Sequence, residues 1–158
     1  MTIPHQITAG NTVKNYYELT KPKIWYLLVF TTFGAALTAS FLFDIPISPI
    51  TWLLLIGGVA AGSAAADTLT GYNDRDIDAI MDRTKDRPIP SGRISPQNAL
   101  VFGLVLAGIS LACAWFINPW AFGLMAFGLF DNIIVYSKWL KRRSQSNIIL
   151  GGFSGGAP

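Results

Sequence analysis

Aspartates recur at regular intervals in the segment 71–88, where charged residues are far denser than a connecting loop requires. No residue before Pro88 would break a helix, and residues four apart lie on one helix face. The sequence therefore predicts a helical acidic stripe that consists of Asp74, Asp78, Asp82 and Asp86. Because like charges at this spacing repel, the stripe needs either neighbouring Arg and Lys side chains or a bound cation.

Three kinds of cation site can be compared with this stripe. A calcium loop would need glycine at its sixth position and glutamate at its twelfth, where the sequence has Ala79 and Lys85. Zinc is disfavoured because His5 is remote and Cys113 lies in an apolar block. Mg²⁺ fits best, since one or two carboxylates can hold it while phosphate oxygens complete its coordination. A solvated helix with internal ion pairs is the alternative to a cation site.

Long apolar blocks surround the acidic segment. Of the 158 residues, 51% are hydrophobic and 13% are charged, against about 25% charged in an average soluble domain. This composition disfavours a soluble domain, a disordered chain and a disulfide scaffold. A spanning helix needs about 20 predominantly apolar residues, and four blocks qualify: 24–43, 50–66, 99–117 and 120–137. The sequence predicts an all-α fold, a polytopic membrane bundle of four complete spans plus the start of a fifth in 147–158.

The charged residues sort to one side of the membrane. All 12 Lys and Arg residues lie in the N-terminal segment 1–23, in the loop 71–98 or after the fourth block. Four spans place these three regions on the same side, and the positive-inside rule makes that side cytoplasmic. We therefore expect a multi-pass protein of the cell membrane. The net charge of +3 then needs no nucleic acid partner.

Small residues almost fill the run 57–66 in the second block. Such residues either let helices pack closely in lipid or leave space for a ligand, and both interpretations stay open. Asp67 follows the run and belongs to the same region as the acidic stripe. Asp131 and Asn132, in the fourth block, either line a cavity or pack between helices.

Basic residues near the acids indicate the substrate class. Arg87 lies close to the stripe, and a later cluster consists of Lys141, Arg142 and Arg143. Guanidinium and ammonium groups bind phosphate oxygens through charge-assisted hydrogen bonds. Acids and bases gathered at one membrane face predict a lipid diphosphate substrate. Arg83 either binds phosphate or pairs with Asp82 and Asp86.

Two stretches of the sequence resemble a known family. The residues DRDID at 74–78, followed by RTKDRPIPSG at 83–92, resemble the first aspartate-rich motif of the UbiA superfamily of intramembrane prenyltransferases. The stretch YSKWLKRRSQSNIILGG at 136–152 is similar to the branch of that superfamily that farnesylates haem. The resemblance extends from about Tyr17 to the end of the chain. Thr70 and Gly71 depart from it, since the motif usually has Asn at the first of these positions and Asn or Asp at the second.

This resemblance implies a bundle of about nine spans, of which 24–158 would form an incomplete prenyltransferase domain. Asp74 and Asp78 would be the catalytic pair that binds Mg²⁺. The diphosphate would be bound by Arg87, Tyr136, Lys141 and Arg142. The donor would be farnesyl diphosphate, the acceptor a vinyl group of haem B and the product haem O.

The resemblance also implies a second aspartate-rich motif, and none occurs before Pro158. We therefore expect this chain to be one half of an enzyme, with a carboxy-terminal half as partner and with little or no turnover alone. Two other functions are compatible with the residues. One is prenyl transfer to a quinone precursor or a glycerol-phosphate lipid, and the other is a transporter or a non-catalytic membrane fragment.

Overall fold

All the regular elements in the part of the chain that the structure describes are helices. The computed structural model describes residues 9–134, which contain α1 (Ala9–Leu19), α2 (Pro22–Phe43), α3 (Pro49–Asn73), α4 (Arg75–Asp78), α5 (Pro96–Ile117) and α6 (Pro119–Phe130). One wider, π-helical turn follows α6 at 131–134. The protein is an all-helical membrane bundle, as its composition predicts.

Three helices are long and apolar enough to cross a membrane: α2 with 22 residues, α3 with 25 and α5 with 22. At about 1.5 Å of rise per residue, each reaches across the roughly 30 Å of a bilayer's hydrocarbon core. The first three predicted spans are therefore confirmed. The fourth begins as predicted, but its described part, Pro119–Ile134, is shorter. The rest of that block and the predicted start of a fifth span lie outside the described residues.

Three of the helices begin at residues that favour a helix start. α3, α5 and α6 each have proline in the first turn and a capping side chain before it. The capping oxygens belong to Ser48, Ser95 and Asn118, which accept from the N–H groups of Thr51, Asn98 and Ala121 at 3.2, 3.3 and 2.7 Å. Proline lacks an N–H that the first turn would leave unpaired, and the cap satisfies another one. These starts fix where each apolar helix begins.

α3 packs most extensively against α5, through glycines that let the two backbones approach. Gly58 and Gly62 are buried on α3, and the Ser110 hydroxyl of α5 donates a hydrogen bond to the Gly58 carbonyl oxygen at 2.8 Å. A methyl group added at Gly62 would lie 2.7 Å from Ser110 Oγ. The run 57–66 therefore serves close helix packing, the first of its two predicted roles.

α2 lies on the outside of the described bundle. None of its residues is buried, and the apolar side chains of Phe30, Phe41 and Leu42 are 74%, 80% and 74% exposed. A continuous apolar surface of this kind is unusual on a protein surrounded by water. This helix therefore presents its apolar side chains to lipid.

The polar N-terminal segment contains a helix that the sequence analysis did not predict. α1 ends at Leu19, and this residue is buried in a small hydrophobic cluster whose other members are Ile89, Ile94 and Ala99. The ring of Tyr16 meets the ring of Phe102 edge-on, with the centroids 4.9 Å apart. α1 is therefore attached both to the loop after α4 and to the first turns of α5.

The predicted helical stripe over 71–88 is wrong beyond Asp78. α4 ends at Asp78, and the chain continues in turns. The Thr84 hydroxyl donates to the Asp78 carbonyl oxygen at 3.0 Å, and it thereby satisfies an oxygen that a longer helix would have used. As a result Asp82 and Asp86 are exposed, whereas Asp74 and Asp78 are buried.

Replacement of Gly103 by alanine should destabilise the bundle. The added methyl group would lie 2.7 Å from Leu69 Cγ and 2.8 Å from Leu69 Cδ2. α3 and α5 must then separate, which we expect to cost about 1–3 kcal/mol. Gly108→Ala, on the same helix, is the matched control because nothing lies within 4 Å of its new methyl group. Unfolding of both variants in detergent micelles measures the difference, and equal stability would contradict close packing of α3 against α5.

Candidate functional site

Two buried carboxylates lie where α3 gives way to α4. Asp74 follows the last residue of α3, and Asp78 is the last residue of α4. The Asp78 N–H donates to the Asp74 carbonyl oxygen at 2.8 Å, so the two residues are one helical turn apart and share a face. They are only 4% and 6% exposed. Buried carboxylates need hydrogen-bonded partners or a cation.

The partner of Asp78 comes from the loop that follows α4. Arg87 Nη1 donates to Asp78 Oδ2 at 2.7 Å, in a charge-assisted hydrogen bond. Backbone hydrogen bonds shape the loop around Arg87, from the Ser91 N–H to the Arg87 carbonyl oxygen at 3.0 Å and from the Ile94 N–H to the Pro88 carbonyl oxygen at 2.9 Å. The buried side chain of Ile94 anchors the loop on the bundle. This fold of the loop brings the guanidinium to the carboxylate.

A second arginine fastens the same loop to α1. The Arg93 guanidinium donates to both carboxylate oxygens of Glu18, at 2.8 and 3.0 Å, and to Asn15 Oδ1 at 2.8 Å. The hydrogen bond from Arg93 lowers the pKa of Glu18 below its ordinary value, against an opposing effect of burial. The same bond raises the pKa of Arg93. Because Arg93 belongs to the loop that carries Arg87, its attachment to α1 stabilises the position of Arg87.

Charged side chains border a cavity of about 180 Å³, which we call the polar cavity. Asp78 and Arg87 line it, and so do Lys21 and Asp67. Lys21 Nζ donates to Asp67 Oδ1 at 3.0 Å. The cavity is therefore bordered by two ion pairs, in each of which the acid and the base come from different segments of the chain. It is also bordered by Glu18, whose arginine partner lies outside the lining.

A larger, mostly apolar cavity of about 290 Å³ lies within the bundle. Side chains from α2, α3, α5 and α6 line it, among them Leu28, Val59, Ala114, Leu124 and Met125. The small-residue run 57–66 contributes to this lining as well, so it serves both of its predicted roles. Asp67 lines both cavities. The two cavities therefore adjoin at Asp67, where an apolar space meets a set of charges.

Hydrogen bonds attach the end of α3 to the turn after α6. Thr70 Oγ1 donates to Asn132 Oδ1 at 3.2 Å, and Asn73 Nδ2 donates to the Ile133 carbonyl oxygen at 3.4 Å. Asn132 also lines the apolar cavity, so it has both of the roles considered for it. Thr70, which departs from the usual aspartate-rich motif, is buried and serves to connect helices.

The structure brings three of the predicted site residues together. Asp78 and Arg87 are hydrogen-bonded, and Asp74 lies one turn before Asp78. Arg83 is exposed, and Asp82 pairs with Lys85 at 2.8 Å. The other predicted diphosphate ligands, Tyr136, Lys141 and Arg142, lie outside the described residues.

The sequence analysis used Lys21 only as one of the basic residues that indicate the membrane orientation. It did not predict that Lys21 lines the polar cavity. The signal that could have found it is Asp67, an acid inside an otherwise apolar span. A carboxylate in such a position needs a basic partner, and the basic residues nearest the membrane on that side include Lys21. Charge pairing between separate segments was therefore the missing argument.

The carboxylate oxygens of Asp74 and Asp78 suit a hard divalent cation that is also coordinated by a substrate. Within residues 9–134, no group of three or more His, Cys, Asp or Glu side chains is placed to hold a metal ion by itself. Mg²⁺ is commonly held by one or two carboxylates, with water and substrate phosphate oxygens in its other positions. Asp74 and Asp78 supply that number and type of ligand. The residues present thus fit Mg²⁺ that binds together with a diphosphate.

Comparison with known proteins decides the family. The UbiA prenyltransferase family matches residues 27–158. The chain belongs to this family. The resemblance that the aspartate-rich motif suggested is thereby confirmed, and the chain is a member of a transferase family. No solved structure matches the chain.

Curated relatives of this UbiA-family chain are similar over nearly all of it. It is 58% identical to protoheme IX farnesyltransferase 2 of Cenarchaeum symbiosum over 95% of the chain. It is 46% identical to protoheme IX farnesyltransferase of Thermoplasma volcanium over 92% of the chain, and 42% identical to that of Rhizobium leguminosarum bv. trifolii over 93%. The matches cover 51%, 51% and 46% of these relatives. The chain therefore spans about half the length of the curated relatives that it matches.

Acid should loosen the attachment of the loop to α1. Because the pKa of Glu18 is lowered in the folded protein, its ionised form stabilises the fold above its ordinary pKa, and this contribution is lost as the pH falls through the lower folded-state pKa. We expect the amides of residues 86–94 to lose protection from hydrogen exchange below about pH 4. Protection here is the exchange rate of an unfolded chain divided by that of the folded protein at the same pH. In Glu18→Gln the exchange should be fast at every pH. A variant that keeps the wild-type pH profile would contradict this role of Glu18.

Replacement of Arg87 alone should destabilise the protein more than replacement of both Arg87 and Asp78. Arg87→Gln leaves the buried Asp78 without its cation, at an expected cost of about 1–3 kcal/mol. This is less than the loss for a fully buried pair, because the Arg87 side chain is 35% exposed. In Arg87→Gln/Asp78→Asn part of the stability should return. Unfolding of the single and double variants measures the coupling, and strictly additive losses would contradict it.

Proposed function

We propose that this UbiA-family protein transfers the farnesyl group of farnesyl diphosphate to a vinyl group of haem B and so makes haem O. The names of its curated relatives support this choice of substrates. The observation that carries the proposal is the junction, at Asp67, of an apolar cavity with a polar cavity lined by Asp78 and Arg87. A prenyl diphosphate has the same division into an apolar chain and a charged head.

Charged groups that line the polar cavity, and Asp74 one turn before Asp78, act on the diphosphate. In this proposal Asp74 and Asp78 hold Mg²⁺, which when bound neutralises the diphosphate and makes it a better leaving group. Arg87 lies 2.7 Å from Asp78 and donates to phosphate oxygens, together with Tyr136, Lys141 and Arg142. In this proposal negative charge grows, as the carbon–oxygen bond breaks, on the phosphate oxygens to which these groups donate. They therefore stabilise the transition state more than the bound substrate.

The apolar cavity holds the prenyl chain with its reactive carbon toward Asp67. Its lining is dominated by aliphatic and small side chains of α2, α3, α5 and α6, which make no hydrogen bonds with water. Exclusion of water is required because water would capture the allylic cation that forms when diphosphate leaves. The electron-rich vinyl group of the acceptor captures it instead.

We further propose that the protein spans the cell membrane and that its polar cavity lies on the cytoplasmic side. The support is the positive-inside rule, since every Lys and Arg of the sequence lies in the segments assigned to that side. In this proposal the domain 24–158 carries one aspartate-rich motif. A segment that corresponds to the unmatched part of the relatives supplies the rest of the catalytic site and acts as the partner of this chain.

Product analysis tests the reaction. The chain is expressed in membranes together with the part of the Cenarchaeum symbiosum relative that it does not match, and the membranes receive labelled farnesyl diphosphate and haem B. We expect labelled haem O by chromatography and mass spectrometry. A labelled quinone or glycerol-phosphate lipid without haem O would contradict the proposed acceptor, and no prenylated product would contradict transferase activity.

The two buried aspartates should be required for turnover. Asp74→Asn/Asp78→Asn in the same membranes should reduce Mg²⁺-dependent haem O formation at least about a hundredfold, because the charge on the leaving diphosphate is no longer neutralised. Asp82→Asn is the matched control, since the Asp82 side chain is 97% exposed, and it should retain wild-type turnover. Undiminished turnover in the double variant would contradict the proposed Mg²⁺-binding role of Asp74 and Asp78.

A further inference from the structure

Lys21 adopts a backbone conformation that lysine rarely adopts. It lies between α1 and α2 at φ 47° and ψ 67°, in the left-handed region. A Cβ atom is unfavourable there, and glycine or asparagine is the usual residue. Such a residue would make the turn with less strain, so the turn by itself does not account for a lysine. Strain of this kind is retained at positions whose side chain has a function.

The side chain of Lys21 reaches the polar cavity. Its Nζ donates to Asp67 Oδ1 at 3.0 Å, although the two residues are 46 positions apart in sequence. An ammonium group has three N–H donors, and Asp67 Oδ1 accepts one of them. The same cavity is lined by Asp78 and Arg87. The ammonium therefore has donors for an anion that enters this space.

We propose that Lys21 binds the diphosphate of the prenyl substrate and that Asp67 is a positioning residue that holds the ammonium in place. This inference rests on the proposed function. Since Asp67 lines both cavities, the ammonium lies where the apolar chain of the substrate joins its charged head. Lys21 thus contacts the phosphate nearest the prenyl chain, and Arg87, held in the same way by Asp78, contacts the outer phosphate.

Asp67 holds the ammonium through its Oδ1 atom, which accepts from Lys21 Nζ at 3.0 Å. It lies seven residues before Asp74, about 10 Å along the helix axis. An Asp67→Asn variant distinguishes this role from that of a third Mg²⁺ ligand. The second carboxylate oxygen, Asp67 Oδ2, is buried and has no hydrogen-bond partner among the described residues. Lys21 is therefore the group that neutralises Asp67 in the described part of the chain.

Binding of a non-reactive substrate analogue tests this assignment. The probe is farnesyl thiodiphosphate with Mg²⁺, titrated calorimetrically into the full chain in lipid nanodiscs. In Lys21→Asn/Asp67→Asn both charges are removed together and the left-handed turn receives a residue that tolerates it. We expect a Kd about tenfold higher than in the wild type, with thermal stability equal or greater. The affinity for farnesol should not change, because farnesol has no diphosphate.

Two further variants separate the possible roles. Asp67→Asn keeps the ammonium and removes the carboxylate that holds it in place, so the probe should bind about threefold more weakly than to the wild type. Equal or tighter binding would contradict the positioning role of Asp67. Lys23→Gln is the matched control, because Lys23 is exposed and lies outside both cavity linings, and its Kd should match the wild type. If Asp67→Asn abolished Mg²⁺-dependent binding, Asp67 would be a metal ligand and the positioning role would be wrong.

The remaining outcomes distinguish this inference from the proposed function. If the wild-type chain binds the analogue and Lys21→Asn/Asp67→Asn binds it equally well, Lys21 is not a diphosphate ligand, and the proposed function stands. If the wild-type chain does not bind the analogue at all, the assignment of Lys21 is overturned, and the product analysis with the added segment of the relative decides separately whether the proposed function stands.

Discussion

The contact between α3 and α5 is the interaction on which the rest of the structure depends. The Ser110 hydroxyl hydrogen-bonds to the Gly58 carbonyl oxygen at 2.8 Å, and such a short link across two backbones is possible only where glycine leaves room. α3 carries Asp67 and leads directly to Asp74 and Asp78, so its position sets the position of the acids. The same run of small side chains also lines the apolar cavity, which α2, α5 and α6 border as well. One stretch of small residues thus serves both helix packing and cavity formation.

The low polarity of the membrane dictates how the charges are arranged. A carboxylate in such surroundings is stabilised by a nearby cation, and two of the acids find one in another segment: Asp67 pairs with Lys21 before α2, and Asp78 pairs with Arg87 after α4. These pairs connect distant parts of the chain and also place two bases beside the same cavity. The groups that make burial of the acids tolerable are therefore the groups that suit a diphosphate. If the proposed function holds, folding and binding use the same charges in this protein.

The elements of the fold with strong local signals could be predicted from the sequence. Apolar blocks of span length predicted α2, α3 and α5, and the four-residue spacing placed Asp74 and Asp78 on one face. The end of the helix at Asp78 could not be predicted in this way. It depends on Thr84 and Arg87, which fold back onto Asp78, and contacts of this kind outweigh a locally favourable helix. The position of Lys21 depends on a partner 46 residues away, which no periodic pattern reveals.

The central claim is that a diphosphate binds in the polar cavity, against Arg87 and beside the junction at Asp67. Solid-state NMR tests it most directly, by ¹³C–³¹P dipolar recoupling in nanodiscs that contain the chain, labelled at the arginine Cζ atoms, together with Mg²⁺ and farnesyl thiodiphosphate. The spectrum of an Arg87→Lys sample identifies the Arg87 signal. The account predicts strong dephasing of that signal by phosphorus, while the exposed Arg83 is unaffected. Bound analogue without dephasing at Arg87 would contradict it.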